Sequence, residues 1–257
     1  MKPRTLVTCI LLAAVHVLIA AAQTDQPLEP PAEAQTVIQP KYRLMPASFD
    51  ILRDERTLWK DTFRIGSDER KWVLPIVLVN ALAISTDAAA YQNITPSKTI
   101  QEASHVISSL GAPYPLFAAG VSMYLLGRHT DDSRLRETGI LGTQALVHSV
   151  IFTAVLEAAT NRKQPNGSGE ADFWNGGDAW PSGHAAMFWA LSTVVAEQYD
   201  DRPMLRFGAY SLATAVSVSR FTGRQHFPSD AVASSVLGYL VGRWVVHHRS
   251  STYHRDQ

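Results

Sequence analysis

The sequence predicts an all-α protein, a bundle of about six to seven helices. Three observations carry this expectation. No stretch alternates apolar and polar residues with the period of a half-buried strand. From about residue 71 onward, apolar segments of helical length recur, separated by Gly, Pro and Ser/Asp boundary residues. Hydrophobic residues make up 46% of the chain and charged residues only 18%, which suits helices buried on most of their faces. The 257 residues hold 23 Lys and Arg against 23 Asp and Glu. Without a basic excess, nucleic acid is excluded as the main partner. The apolar content excludes disorder over the whole length, and a single cysteine, Cys9, excludes a disulfide scaffold.

The segments follow in order. Residues 1–22 have the layout of a secretory signal peptide: Lys2 and Arg4, a short apolar run from Thr5 to Ala20, then small residues ending at Ala22. Cleavage there would leave a chain with no cysteine, so its core must hold it together. Residues 23–46 read as a Pro-rich linker (Pro27, Pro30, Pro31, Pro40, Pro46). Residues 47–70 are expected to form short surface segments with apolar islands such as Leu58 and Trp59. The helical domain is placed at 71–248 and a polar C-terminal tail at 249–257.

Within the domain a first helix is predicted over Trp72–Ala90, interrupted by Asn80 and Asp87. A second is predicted at 97–109, opened by Ser97, and a third at 115–127. A long fourth helix starts after Asp131, Asp132 and Ser133 and runs to about Ala159. Residues 160–181, with four glycines and two prolines, read as a loop. Helices then follow from Ser182 to about Gln198, from Pro203 to about Arg220, and over about 229–247. Hydropathy alone leaves two settings open. Polar residues such as Asp87, His148 and Arg243 interrupt the apolar helices, and a charge at a bilayer centre costs roughly 2.5–3.5 kcal/mol. Core helices of a soluble bundle have the same composition.

Two short segments carry chemistry. Pro181-Ser182-Gly183-His184 turns from loop into helix. A helix start offers unpaired N–H groups and a positive dipole end to an anion. Ser182 adds a hydroxyl, Gly183 an open backbone, and His184 a proton. The second segment runs from Ser219 to Asp230. Arg220 presents a planar fork suited to phosphate. His226 and Asp230 stand four residues apart across a helix start. There a carboxylate can accept the imidazole N–H, fix the tautomer and leave the other nitrogen free to attack.

PSGH followed some forty residues later by SR-x5-H-x3-D resembles the type-2 phosphatidic acid phosphatase and vanadium haloperoxidase superfamily, over roughly residues 72–246. The resemblance implies that His226 is the nucleophile that becomes a phosphohistidine and Asp230 its orienting carboxylate. It implies that His184 protonates the leaving alkoxide and that Arg220, Ser182 and the Gly183 N–H hold phosphoryl oxygens. Phosphoryl transfer asks mainly for positioning and charge neutralisation, which such a set supplies. No metal or other cofactor is implied, and no metal-ligand spacing is present.

The family's earlier motif, K-x6-RP, is altered here. The aligned stretch runs from Glu157 to Pro165. Glu157 takes the lysine position and Gln164 the arginine position. Arg162 and Lys163 lie one and two residues away and are expected to substitute as phosphate-binding cations, with Arg224 as a further candidate. Losing a charge-assisted contact to a transition state costs about 2.7–4 kcal/mol, so the first motif bears directly on activity. The expected function is an exported, metal-independent phosphatase acting on a phosphomonoester or a lipid (pyro)phosphate. It would work in a bacterial periplasm, or at a membrane with its site facing the periplasm. The alternatives are a weak or inactive phosphate- or lipid-binding pseudoenzyme and, ranked below it, a vanadium-dependent haloperoxidase.

Overall fold

The computed structural model describes residues 54–60, 70–165 and 169–250. The expected signal peptide and linker, and the tail from 251 onward, lie outside the described residues. Every regular element among the described residues is helical. Seven long helices form the domain: α1 (Arg70–Asn93), α2 (Lys98–Ser109), α3 (Pro113–His129), α4 (Ser133–Thr160), α5 (Gly183–Gln198), α6 (Pro203–Thr222) and α7 (Pro228–Arg249).

The helix starts lie where the sequence supplies a cap or a proline. Ser97 Oγ accepts the Ile100 N–H at 3.3 Å and opens α2, and Asp132 Oδ1 accepts the Leu135 N–H at 2.9 Å and opens α4. Proline occupies the first turn of α3, α6 and α7, where its missing N–H costs nothing. α4 stops at Asn161, whose left-handed φ of 46° is one that Asn tolerates better than most residues.

α5 is the centre of the bundle and packs against α4, α6 and α7. Its tightest neighbour is α7. A Cβ added at Gly238 would lie 2.2 Å from the Ala186 carbonyl oxygen, and one at Gly242 2.5 Å from that of Ala190. The two backbones therefore touch, and only glycine permits it at these two positions. Ala186, Ala190 and Val194 on α5 meet Leu237, Val241 and Val245 on α7 in the main core, together with Phe152 of α4. α6 lies on α5 and carries α2 on its other side, while α1 packs on α7.

The short helix at 54–60 does more than lie on the surface. Leu58 is fully buried in the main core, and Trp59 stacks on Phe152 at 3.8 Å between centroids. At its start, Glu55 meets His148 Nδ1 at 2.6 Å and Asp54 pairs with Arg249. α4 is long and apolar enough to cross a membrane, and half of its most apolar window is buried inside the domain. α2 and α3 would together qualify as a second such element, bent by 43°.

Candidate active site

The described loop residues 161–165 and 169–181 and the starts of α5 and α7 meet near the end of α6 in a polar region. The start of α5 is open. Ser182 is its N-cap residue, but its side chain makes no capping hydrogen bond. The Ser182 hydroxyl is fully buried and has no partner among the described residues. A Cβ on Gly183 would stand 3.6 Å from Glu157 Oε1 and 3.8 Å from Thr153 Oγ1. That is ordinary contact, so what glycine contributes here is open approach to the helix start rather than relief of a clash. Arg220, at the end of α6, is buried. Its Nη1 donates to Ser108 Oγ at 2.5 Å and to Gln225 Oε1, while its Nε has no partner among the described residues. Burial lowers its pKa to about 10, so it stays charged at neutral pH. An uncapped helix start, an orphaned buried hydroxyl and an orphaned guanidinium N–H are donors awaiting an acceptor.

His226 is buried, with Nδ1 2.9 Å from the Ala179 carbonyl oxygen. A carbonyl only accepts, so this contact assigns the proton to Nδ1 and leaves a lone pair on Nε2. The expected direct bond to Asp230 is longer: Oδ2 stands 3.4 Å from Nδ1 and accepts the Phe227 N–H at 2.8 Å. The tautomer is thus fixed mainly by the loop carbonyl, and Asp230 supplies negative charge beside the ring. His184 is half-buried at the start of α5. Burial lowers its pKa to about 4, and the nearby Arg220 guanidinium adds to the fall.

The two cations expected to substitute for the altered motif go elsewhere. Arg162 is fully buried and faces the protein interior. Its Nη2 donates to Asp87 Oδ2 at 2.6 Å, and its Nη1 donates to Ser229 Oγ at 2.7 Å and to Asp230 Oδ1. Its faces lie over Phe173 and Phe227 at 4.6 and 4.7 Å. Lys163 pairs with Glu170 at 2.8 Å near the surface. Arg224 stacks on Tyr91 at 3.6 Å and donates to the carbonyls of Tyr91 and Ile94, which ties it to the end of α1. Gln164 donates to Asp178 Oδ1 at 2.6 Å. Glu157 therefore stands beside the open start of α5 with no lysine or arginine from its own motif to offset it. Burial raises its pKa to about 7, and the Asp178 carboxylate adds to the rise.

Sequence reasoning missed the second layer of the site: Ser108, Ala179, Gln225, Ser229 and Asp87. Asp87 alone left a signal, as a charge inside an otherwise apolar helix. The three tryptophans near PSGH divide. Trp189 donates to Ser217 Oγ at 2.9 Å inside the bundle, the Trp180 N–H is buried, and Trp174 is 79% exposed.

The described domain is all-α and carries an open helix start, two histidines and a buried arginine near the ends of α5, α6 and α7. Residues 139–252 match the family model described as the PAP2 superfamily. Over 66 residues the chain is 32% identical to the lipid A 1-phosphatase of Porphyromonas gingivalis. That stretch is 25% of this chain and 15% of the relative, so the chain matches only a small part of that protein's length. Its fold is similar to the crystal structure of the transmembrane PAP2-type phosphatidylglycerolphosphate phosphatase of Bacillus subtilis, with a TM-score of 0.52 and 18% identity. The likeness covers 68% of this chain and 94% of that one.

Proposed function

We propose that the chain is a phosphatase that hydrolyses a phosphomonoester or a lipid (pyro)phosphate through a phosphohistidine. The observation that carries this reading is the His226 tautomer: Nδ1 bonds the Ala179 carbonyl and Nε2 keeps its lone pair. In the first step Nε2 attacks phosphorus, the P–O bond to the leaving group breaks, and His184 gives its proton to the departing alkoxide. In the second step water attacks the phosphohistidine, neutral His184 takes the water's proton, and phosphate leaves. The open start of α5, Ser182 and Arg220 take the charge on the phosphoryl oxygens. These groups neutralise the phosphate without a metal ion in the scheme. Turnover of p-nitrophenyl phosphate or a lipid phosphate is therefore expected to persist in excess EDTA, and loss of turnover on chelation would overturn metal independence.

The depressed pKa of His184 sets a second expectation. In the free enzyme His184 is neutral above about pH 4, so kcat/KM should fall as pH rises through that region. A bound phosphate brings negative charge beside the imidazole and raises its pKa. The falling limb of kcat should therefore lie at higher pH than that of kcat/KM. Profiles of both constants for wild type and His184→Ala check this, and a limb retained in the variant would remove His184 from the acid role.

A second reading rests on Glu157. With Glu157 and Gln164 in place of the motif's two cations, less positive charge is available to a transition state, which suits a phosphate- or lipid-binding protein with little turnover. Substantial wild-type hydrolysis would reject it. We further propose that the domain works at a membrane, exported with the site facing the periplasm. Supporting this is an exposed apolar stretch on α1 (Val77, Leu78, Val79, Leu82) and another on α6 (Met204, Phe207), since apolar patches of this kind mark contact surfaces. Retention in the membrane fraction through a high-salt wash is the test.

A further inference from the structure

We propose that Asp87 and Arg162 are positioning residues for the nucleophile, forming a buried brace from α1 to Asp230 and His226. This rests on the phosphatase reading above. Asp87 lies outside the stretch that matches the superfamily, 139–252, and 75 positions before Arg162. Asp87, Arg162, Ser229 and Asp230 are all fully buried. Asp87 Oδ1 accepts the Ser229 N–H at 3.1 Å. Its Oδ2 accepts Arg162 Nη2 at 2.6 Å and the Ser229 hydroxyl. That hydroxyl in turn accepts Arg162 Nη1 at 2.7 Å. Arg162 Nη1 also reaches Asp230 Oδ1, and Asp230 Oδ2 holds the Phe227 N–H directly after His226.

Each member limits the next. Asp230 has both oxygens engaged, so its carboxylate cannot turn away from the imidazole. Arg162 is fixed in plane by its bonds and between planes by Phe173 and Phe227. Asp87 holds the far end of the guanidinium and the first turn of α7 at once. One cation shared between two carboxylates also leaves net negative charge behind the ring. That charge favours His226 while it carries the transferred phosphoryl group, because the phosphorylated imidazole is then positively charged. Neither Asp87 nor Arg162 touches the substrate. Their effect passes through Asp230 and the start of α7.

Asp87→Asn keeps the shape and removes the charge, and its amide would set an N–H against the Arg162 N–H. A displaced nucleophile of this kind costs about 10²-fold. The expected result is kcat lowered about 10- to 100-fold with KM within about threefold of wild type, and unchanged helical circular dichroism. Arg162→Lys, which keeps a charge but loses the fork, should retain more activity than Arg162→Ala. Independently of turnover, the ¹⁵N-labelled imidazole resonances of His226 should shift in Asp87→Asn. If that variant does not fold, Ser229→Ala, which removes one bridge of the same brace, takes its place with a smaller shift expected. Wild-type kcat together with wild-type His226 resonances in the folded variant overturns the proposal. A wild-type protein with no phosphatase activity would sink the functional reading alone, since the His226 resonances would still report whether the brace acts on the ring.

Discussion

His226→Ala is expected to lower kcat by about 10⁴–10⁶-fold, the range seen when a member of a catalytic unit is removed. The size follows from what the side chain does. In the proposed mechanism its Nε2 is the atom that bonds phosphorus, so the substitution removes the bond-forming atom itself. The loss should be accompanied by loss of the covalent intermediate. Acid-labile, base-stable phosphate on the protein after a rapid quench should appear with wild type and be absent from the variant. His184→Ala should still form that adduct from an aryl phosphate, whose leaving group needs no proton. The variant leaves the Ala179 carbonyl without its partner, which costs about 1–3 kcal/mol, so retained circular dichroism must accompany the rate. Equal turnover by wild type and His226→Ala would end the phosphohistidine mechanism.

Changing Glu157 should have the next largest effect, and its sign depends on pH. The Glu157 pKa is raised to about 7, so the group is neutral below that pH and anionic above it. Two unit charges about 5 Å apart at an effective dielectric near 20 interact by about 3 kcal/mol. An ionised Glu157 therefore repels a phosphate strongly. In wild type, KM is expected to rise as pH passes upward through 7. Glu157→Gln should remove that rise, lowering KM about tenfold at pH 8 while changing little at pH 5. Glu157→Lys replaces repulsion with attraction and should raise kcat/KM by about 10²-fold at pH 8. The comparison of KM across pH 5–9 for the three proteins decides it. A wild-type KM that does not change through pH 7, or a Gln variant with the same pH dependence, removes Glu157 from the phosphate site.

Much of the fold was legible because each helix boundary carries a residue with a local reason to be there. Ser97 and Asp132 cap through their own oxygens, and Pro203 and Pro228 open helices whose first N–H groups are free in any case. Local causes can be read locally. Ser182, Gly183, His184, Arg220 and His226 likewise lie at or beside the helix ends where their motifs put them. The fate of Arg162 was not legible. Asn161 turns the chain through a left-handed conformation, and the segment after it pairs with the loop: Lys163 N–H meets the Asp172 carbonyl and Ala179 N–H the Arg162 carbonyl. Neighbouring side chains of an extended segment point to opposite sides. Arg162 goes inward to Asp87 and Lys163 outward to Glu170. A one-residue difference in position thus becomes the difference between core and surface. The partner that draws Arg162 inward sits on a helix the motif does not include. For the same reason Leu58 and Trp59 read as surface islands, although Leu58 is buried in the main core and Trp59 is partly buried on Phe152.

The unmatched donors at the start of α5 have a consequence for the life of the folded chain. Ser182 Oγ and Arg220 Nε are buried without acceptors among the described residues, and each such group costs about 1–3 kcal/mol until it is satisfied. A phosphate bound as proposed satisfies both groups. Any ligand that binds only the native state raises its stability by mass action, so phosphate, the product of the proposed reaction, would double as a folding ligand. Where phosphate is abundant the protein would be sturdier and slower. Where phosphate is scarce it would be faster and shorter-lived, a trade between endurance and turnover set by two hydrogen bonds that the fold leaves unmade.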